Sequence, residues 1–556
     1  MRARLGQRSK IFGLPIMVIL LALIVPLLVR IVILAFSNST GTAATLDNFV
    51  RIWNNGVGLQ ILGNTLLYTL GATFVAILVA LVIAIIVERT DAPGRIAVYA
   101  MLALGFGVPS VIHGIGWTLI GGRVGILWNI FPWLQDVGPN LFYSWFGLCI
   151  VTGLRFAPIA FFLVAPALRA MDPSLEEAAR VAGAGRFRML TRITLGLSRP
   201  SLLAAVFLVG LLVVQHFDLP ALIGTQSGFI VLSTEVYSLV QRNFPDYNGA
   251  AAYSIVLAIV AVIALVAYFR ATAQAKRFGV ISGKGYRSGR VRLEGWRIPS
   301  AILVIVLAFC TVVPVLVLLW RSFVTGNDFP CFTTCTYGFS NFSDIGSTAG
   351  LITSGVNSIV LGLLAGLIVV LLTVLLSWVT VRESNRITRL LDQLGSIPLV
   401  LSGILLSLAF LQTYAKSFLY NSVFLILIAY VVFYIPFGVR FTYSAVVGVR
   451  GELEEAASVA GARPTTVFRR IVFPLVLPSL LTAFVFIFLA SMEQLSLVVF
   501  ISGAGNPVVG PEIFRLWQTS SISVVAAFSV GVVLAGFIIV GAGWLISRLV
   551  TRHILR

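Results

Sequence analysis

The sequence predicts an all-α polytopic membrane protein, with about 12 transmembrane helices arranged as two six-helix repeats. Three observations predict it. The first is composition: of 556 residues, 59% are hydrophobic and only 11% charged, with a mean hydropathy of +1.02, whereas a soluble domain carries about 25% charge. The second is a series of twelve apolar runs, long enough to cross a hydrocarbon core that needs about 20 residues of helix. The third is internal: distinctive residues recur at a near-constant separation, so the second half repeats the first.

Taken in order, the first ten residues, MRARLGQRSK, are basic and lead into an apolar run over 11–36. That run exceeds a signal-peptide core and reads as an uncleaved first span. Further runs fall near 61–87, 96–120, 141–168, 199–224 and 248–269. A second set falls near 298–320, 352–379, 393–413, 419–447, 475–501 and 521–548. Proline stands inside several of them, including Pro26, Pro109, Pro158, Pro314, Pro398 and Pro436. Membrane helices tolerate it because neighbouring helices satisfy the freed backbone groups.

The net charge of +19 is a question of placement. Assigning loops alternately to the two sides puts 30 of the 39 Lys and Arg on the side of the N-terminus and 7 on or near the other, with Arg155 and Arg440 inside spans. Positive loops stay cytoplasmic, so both termini are expected in the cytoplasm. The basic charge is therefore topological, and no nucleic-acid partner is implied.

The duplication is read from paired landmarks. Leu46-Asp47-Asn48-Phe49 resembles Phe339-Ser340-Asn341-Phe342, and Asn64 pairs with Asn357, both at an offset of 293. Pro109 pairs with Pro398 at 289, and Pro158 with Pro436 at 278. The shrinking offset places extra residues in the first half, around GGRVGILWNIFPW. The expected division is a first repeat over 1–275 with a polar loop over 169–199, a basic cytoplasmic linker over 276–297, and a second repeat over 298–556 with a loop over 448–474. Parallel repeats imply a pseudo-twofold axis along the membrane normal.

The two polar loops are the most distinctive stretches. LEEAARVAGAGRFRMLTRITLGLSRP begins at Leu175, and LEEAASVAGARPTTVFRRIVFPLVLP begins at Leu453, 278 residues later. Each reads as two short helices broken at Gly183 or Gly461, since glycine takes a positive φ without cost. Asp172, Pro173, Ser174 and Glu177 fit an N-cap, an N1 proline and a capping box. The alanine pairs leave room for another surface to approach, and Met189, Leu190 and Ile193 recur at helical spacing, as do Val467, Phe468 and Ile471.

These residues resemble the hallmark of the inner-membrane permeases of binding-protein-dependent, ATP-driven (ABC) importers: E-A-A-x-x-x-G, then nine residues before I-x-L-P. Glu177, Ala178, Ala179, Gly183, Ile193 and Leu195 match it, as do Glu455, Ala456, Ala457, Gly461, Ile471 and Pro474. Phe473 replaces the Leu in the second copy, and Gly196 the Pro in the first, which leaves the end of the second helix less defined there. The resemblance implies the type I importer permease fold, and a coupling helix in each loop seated on a cytoplasmic ATPase. The implied partners are two copies of that ATPase, which would hold ATP and Mg, an external solute-binding protein, and the bilayer of a bacterial inner membrane. This chain itself is expected to bind no cofactor and to be no enzyme. Its fused form, with Glu88 to Arg95 and Ser282 to Arg287, looks most like the ferric-iron branch. Thiamine, phosphonate and sugar phosphate are the alternative substrates.

Other candidates follow from placement. Ionisable residues within spans are functional by default, which singles out Arg155, Gln215, His216, Asp218, Arg440, Glu493 and Gln494 as a translocation path. The alternative is interhelical hydrogen bonding that fixes packing. Cys331 and Cys335 lie in the outer loop after the seventh span, where an oxidising compartment favours a disulfide; free thiols or a metal site are the alternatives. Gly283-Lys284 is no phosphate loop, because Phe278 and Gly285 break its pattern. His113, His216 and His553 are too scattered for a metal box. A secondary transporter also accommodates six plus six spans, and Arg89 to Arg95 faintly resembles its basic loop, but that class gives no reason for doubled Glu-Ala-Ala loops.

Overall fold

The structure is a computed structural model and describes residues 9–38, 43–54, 56–171, 179, 181–183, 185–275, 292–326, 330–331, 335–519 and 522–554. Most of the linker expected over 276–297 thus lies outside the described residues, as do Asp172, Pro173, Ser174, Glu177 and Ala178. Among the described residues, ten helices are long and apolar enough to cross a membrane, and two bent helix pairs raise the number to twelve.

Three spans expected to be continuous are broken. The third separates into Arg95–Phe106 and Ser110–Gly121, with Pro109 extended at φ −51° and ψ 137°. Proline removes a backbone donor and clashes with the preceding turn. The seventh bends by 57° between Glu294–Phe309 and Val313–Phe323, and the ninth by 102° between Arg386–Leu399 and Gly403–Tyr414. The fifth and eleventh spans end before their apolar runs do. Their helices end at Val214 and Met492, and irregular segments follow, including a π turn over Pro220–Gly224.

The chain forms two compact units. One comprises Met1–Phe49, Arg242–Ile255 and Phe339–Arg556; the other comprises Val50–Gln241 and Val256–Gly338. These units are not the sequence repeats. The opening span of each repeat belongs to the unit holding most of the other repeat.

In the unit of residues 50–241 and 256–338, the second span (Val57–Arg89) packs along the fourth (Trp145–Arg169). Ala72, Ala76, Ala80 and Ala84 repeat every four residues and are fully buried or nearly so. Small residues let membrane helices approach closely, and a Cβ on Gly153 would lie 2.4 Å from Val75 Cγ1. Arg297–Phe309 packs on the second span and Val313–Phe323 on Ser110–Gly121, where a Cβ on Gly116 would meet the Pro314 carbonyl oxygen at 2.5 Å. A short hairpin pairs Val324–Thr325 with Thr336–Tyr337. Next to it Cys331 and Cys335 form a disulfide, with Cα atoms 5.3 Å apart.

In the other unit, the eighth span (Leu351–Arg382) packs on the tenth (Val423–Val447) and eleventh (Phe473–Met492). Ser358, Gly362, Gly366, Thr373 and Ser377 are buried along one side of the eighth span. Ser377 Oγ lies 2.7 Å from Thr442 Oγ1, and a Cβ on Gly362 would meet Ser491 Oγ at 2.7 Å. The first span (Leu14–Ala35) packs on Gly403–Tyr414 and Arg386–Ser396.

Candidate functional site

The second polar loop is described throughout. Helix Gly451–Val459 carries Glu455, Ala456 and Ala457. It ends with Gly461 N–H donating to the Ser458 carbonyl at 3.1 Å and Ala462 N–H to the Ala457 carbonyl at 3.0 Å. That pair of bonds is a Schellman cap, and Gly461 occupies its left-handed position at φ 84°. Arg463 is extended and Pro464 opens the next helix, Pro464–Val467, where proline loses no useful donor.

A π turn over Phe468–Val472 then joins this helix to the eleventh span without interruption. The second helix therefore does not end at the motif's proline: Pro474 lies in the first turn of Phe473–Met492. In the first loop Gly183 has φ 82°, and a π turn over Leu190–Thr194 leads into Leu195–Val214. The helix runs through Gly196 as it runs through Pro474, so the expected difference in where the second helix ends is absent.

The two adjacent glutamates of the second loop point opposite ways. Glu455 and Ala456 are exposed and Ala457 is half-buried, whereas Glu454 is 2% exposed. Arg382 Nε lies 2.8 Å from Glu454 Oε1, and Trp378 Nε1 donates to Glu454 Oε2 at 3.0 Å. Val459 is 88% exposed, and Val181, 278 residues earlier, is 90% exposed. Neither valine stands out in the sequence, where the signal is a single valine between the alanine pair and the glycine in each copy.

Each loop begins at a helix end held by an arginine. Arg89 Nη1 donates to the carbonyls of Leu168 and Met171 at 3.3 and 3.2 Å. Arg382 Nη2 donates to those of Val446 and Val449 at 3.4 and 2.7 Å. The arginines are 293 apart and the carbonyl pairs 278 apart, the repeat offsets of their own spans. The last carbonyls of a helix lack intrahelical partners and favour a cation. Read only as loop charges, these arginines give no sign of that role.

The first repeat adds a charge cluster without counterpart. Glu88, 1% exposed, receives Arg169 Nε and Nη2 at 3.1 Å each and Arg95 Nη2 at 2.8 Å. Tyr99 donates its hydroxyl to Glu88, and Arg169 bonds that hydroxyl. The equivalents of Glu88 and Arg169 in the second repeat are Val381 and Val447.

The candidate path residues separate by environment. Gln215 and Glu493 are the C-caps of their helices with matching backbone angles, φ −87° and −90°. His216 and Gln494 follow in non-helical backbone, and Asp218 opens the short helical turn that continues into Pro220–Gly224, so none of the three lies within a long span. Arg155 is buried, with Nε 3.2 Å from Ser110 Oγ and Nη1 3.5 Å from the Phe106 carbonyl. His216 meets Phe156 edge-to-face at 5.2 Å. His113, remote from His216 in sequence, is fully buried within electrostatic reach of it and of Arg155, and neither ring nitrogen has a partner among the described residues. Arg440 is exposed and not equivalent to Arg155; Phe433 and Phe162 stand at the matching positions.

The irregular segments are pinned alike. Asn64 Nδ2 donates to Ile230 O at 3.0 Å, and Leu232 N–H donates to Thr65 Oγ1 at 2.9 Å. Asn357 Nδ2 donates to Pro507 O at 2.8 Å, and Val509 N–H donates to Ser358 Oγ at 2.9 Å. Among the described residues no three His, Cys, Asp or Glu side chains gather where they could hold a metal ion.

Comparison with known proteins gives this geometry a family. The model for binding-protein-dependent transport system inner membrane components matches residues 80–280 and again 358–556. The ferric transport system permease protein FbpB of Actinobacillus pleuropneumoniae is 25% identical over 516 residues, covering 90% of this chain and 73% of that protein. The probable ABC transporter permease protein y4fN of Sinorhizobium fredii is 25% identical over 482 residues, covering 83% of this chain and 82% of that protein. The sulfate transport system permease protein CysW of Synechocystis is 30% identical over 184 residues, covering 33% of this chain and 64% of that protein. One polar loop falls inside each matched segment, and the chain belongs to the inner membrane components of binding-protein-dependent transport systems, with both repeats in one polypeptide.

Proposed function

We propose that this chain is the transmembrane permease subunit of an ATP-driven importer, and that ferric iron is its substrate. One observation carries the coupling role. Glu455, Ala456 and Val459 stand exposed on a helix that ends in a Schellman cap and that buried Glu454 ties to the eighth span. An exposed apolar residue beside small ones is what a docking surface needs, because burial of its side chain contributes without a polar group to desolvate. Val181 and Gly183 repeat the pattern, so each loop takes one copy of a cytoplasmic ATPase, which holds the ATP and Mg. Glu177 and Glu455 make polar contacts there. Both loops and both termini face the cytoplasm, where positively charged loops remain, and the hairpin with Cys331 and Cys335 faces the solute-binding protein's compartment.

Ferric iron stands ahead of thiamine, phosphonate or sugar phosphate because a relative matched over nine-tenths of this chain is a ferric permease. The sulfate permeases match about a third of it. Gln215, His216, Asp218 and Arg155 in one unit, and Glu493, Gln494 and Arg440 in the other, contact the substrate as it crosses. The test is uptake into proteoliposomes holding the permease, its ATPase and its binding protein. ATP-dependent entry of ferric iron is expected; entry driven by an ion gradient without ATP overturns the importer reading.

A further inference from the structure

We propose that Arg382, Glu454 and Trp378 form a joint that makes the second coupling loop move as one body with the eighth span, so that they set how tightly ATP hydrolysis is tied to transport. The inference rests on the reading that this loop docks on an ATPase. These are positioning residues, since all three side chains face inward from the loop's exposed surface.

Five elements meet at the joint. Arg382, the last residue of the eighth span, reaches the Glu454 carboxylate and the Val446 and Val449 carbonyls that end the tenth span region. Trp378, one turn earlier and fully buried, donates to the other Glu454 oxygen. Its ring lies 5.0 Å from that of Phe468, which follows Pro464–Val467, and 5.7 Å from Phe12 at the start of the chain. The first coupling helix is thus held through Glu454 and the second through Phe468, both by the same span end. A displacement of the exposed face cannot be absorbed in the loop without breaking a buried ion pair, which is costly because it leaves a charge unpaired. The displacement passes instead to the eighth span, which packs along the tenth and eleventh.

The first repeat has the arginine but not the indole: Ile85 stands 293 residues before Trp378, and Leu190 stands 278 before Phe468. An isoleucine cannot donate to a carboxylate. The indole and the Phe468 ring of this joint therefore belong to the second repeat alone.

The test compares full complexes of permease, ATPase and binding protein in proteoliposomes, carrying Glu454→Gln, Trp378→Phe or Arg382→Lys. Glu454→Gln removes the ion pair and keeps an acceptor for the indole; Trp378→Phe keeps an aromatic ring and removes the donor. The expected result is normal assembly with ATP consumed per substrate raised about fivefold or more, the low end of ordinary coupling between sites, with Arg382→Lys between these and the unaltered protein. A purely structural role would lower the thermal midpoint and yield while leaving ATP per substrate unchanged, and that outcome overturns the joint. If Glu454→Gln fails to fold, Trp378→Phe decides by the same ratio. Failure of the unaltered chain to assemble with an ATPase overturns the underlying reading instead.

Discussion

Arg89 donates to the carbonyl of Met171, and Arg382 repeats that bond to Val449 in the second repeat. Each arginine closes its own span and caps the helix from which a polar loop departs. Replacing Arg89 by Met leaves the Leu168 and Met171 carbonyls without this cation, and hydrogen bonds to charged groups contribute about 1.5–3 kcal/mol. We expect a lower thermal midpoint for detergent-solubilised Arg89→Met, and a smaller loss for the half-exposed Arg95→Gln. Equal midpoints for Arg89→Met and the unaltered protein would remove the capping role.

Gly461 and Gly183 hold left-handed backbone in open space, with nothing within 4 Å of where a Cβ would stand. The cost of a side chain there is conformational, about 1–2 kcal/mol, and not a clash. Gly461→Asn should therefore couple better than Gly461→Val, because asparagine visits this region more readily. Binding-protein-stimulated ATPase activity measures it; indistinguishable activity across the pair would mean that the turn does not matter to coupling.

Gly153 presents the opposite case. Its φ is ordinary, but a Cβ would lie 2.4 Å from Val75, and overpacking costs about 1–3 kcal/mol. Gly153→Val should lower yield and thermal midpoint, while Gly63→Ala, with nothing within 4 Å, should leave both unchanged. A stable Gly153→Val protein would contradict the close packing of the second and fourth spans.

Asp218→Asn and Glu493→Gln preserve shape and remove charge at the matched irregular segments. Iron uptake and coupled ATPase rates are expected to fall in both. Unchanged rates would leave these residues with packing alone, a role worth about 0.6 kcal/mol per hydrogen bond in a membrane.

The disulfide is checked by intact mass without reductant. The protein should weigh two hydrogens less than its fully reduced form, and Cys331→Ser should abolish that difference. Two alkylatable thiols at Cys331 and Cys335 in purified protein would exclude the bond.

Much of this is legible in the sequence, and the rest is hidden for physical reasons. Long apolar runs announce the spans because a bilayer demands them, and the offset of 278 locates both polar loops. The bends at Pro109 and within the seventh and ninth spans are hidden because hydropathy is blind to direction. The apolar runs ending the fifth and eleventh spans conceal irregular backbone, which is tolerated at depth when buried in protein. That Glu454 faces inward and Glu455 outward depends on Arg382 and Trp378, which are more than 70 residues away in sequence. The interleaving of the opening spans is likewise a tertiary fact, since an apolar helix in a membrane carries no label for its partner.

Cross-linking from the exposed valines tests the coupling role most directly. Val459→Cys and Val181→Cys should each form a specific cross-link to the ATPase in membranes, whereas cysteine at the outward hairpin residue Tyr337 should form none. Absence of a cross-link from both valines, in a complex that still imports iron at the expense of ATP, would contradict the claim that these two loops are where the permease meets its motor.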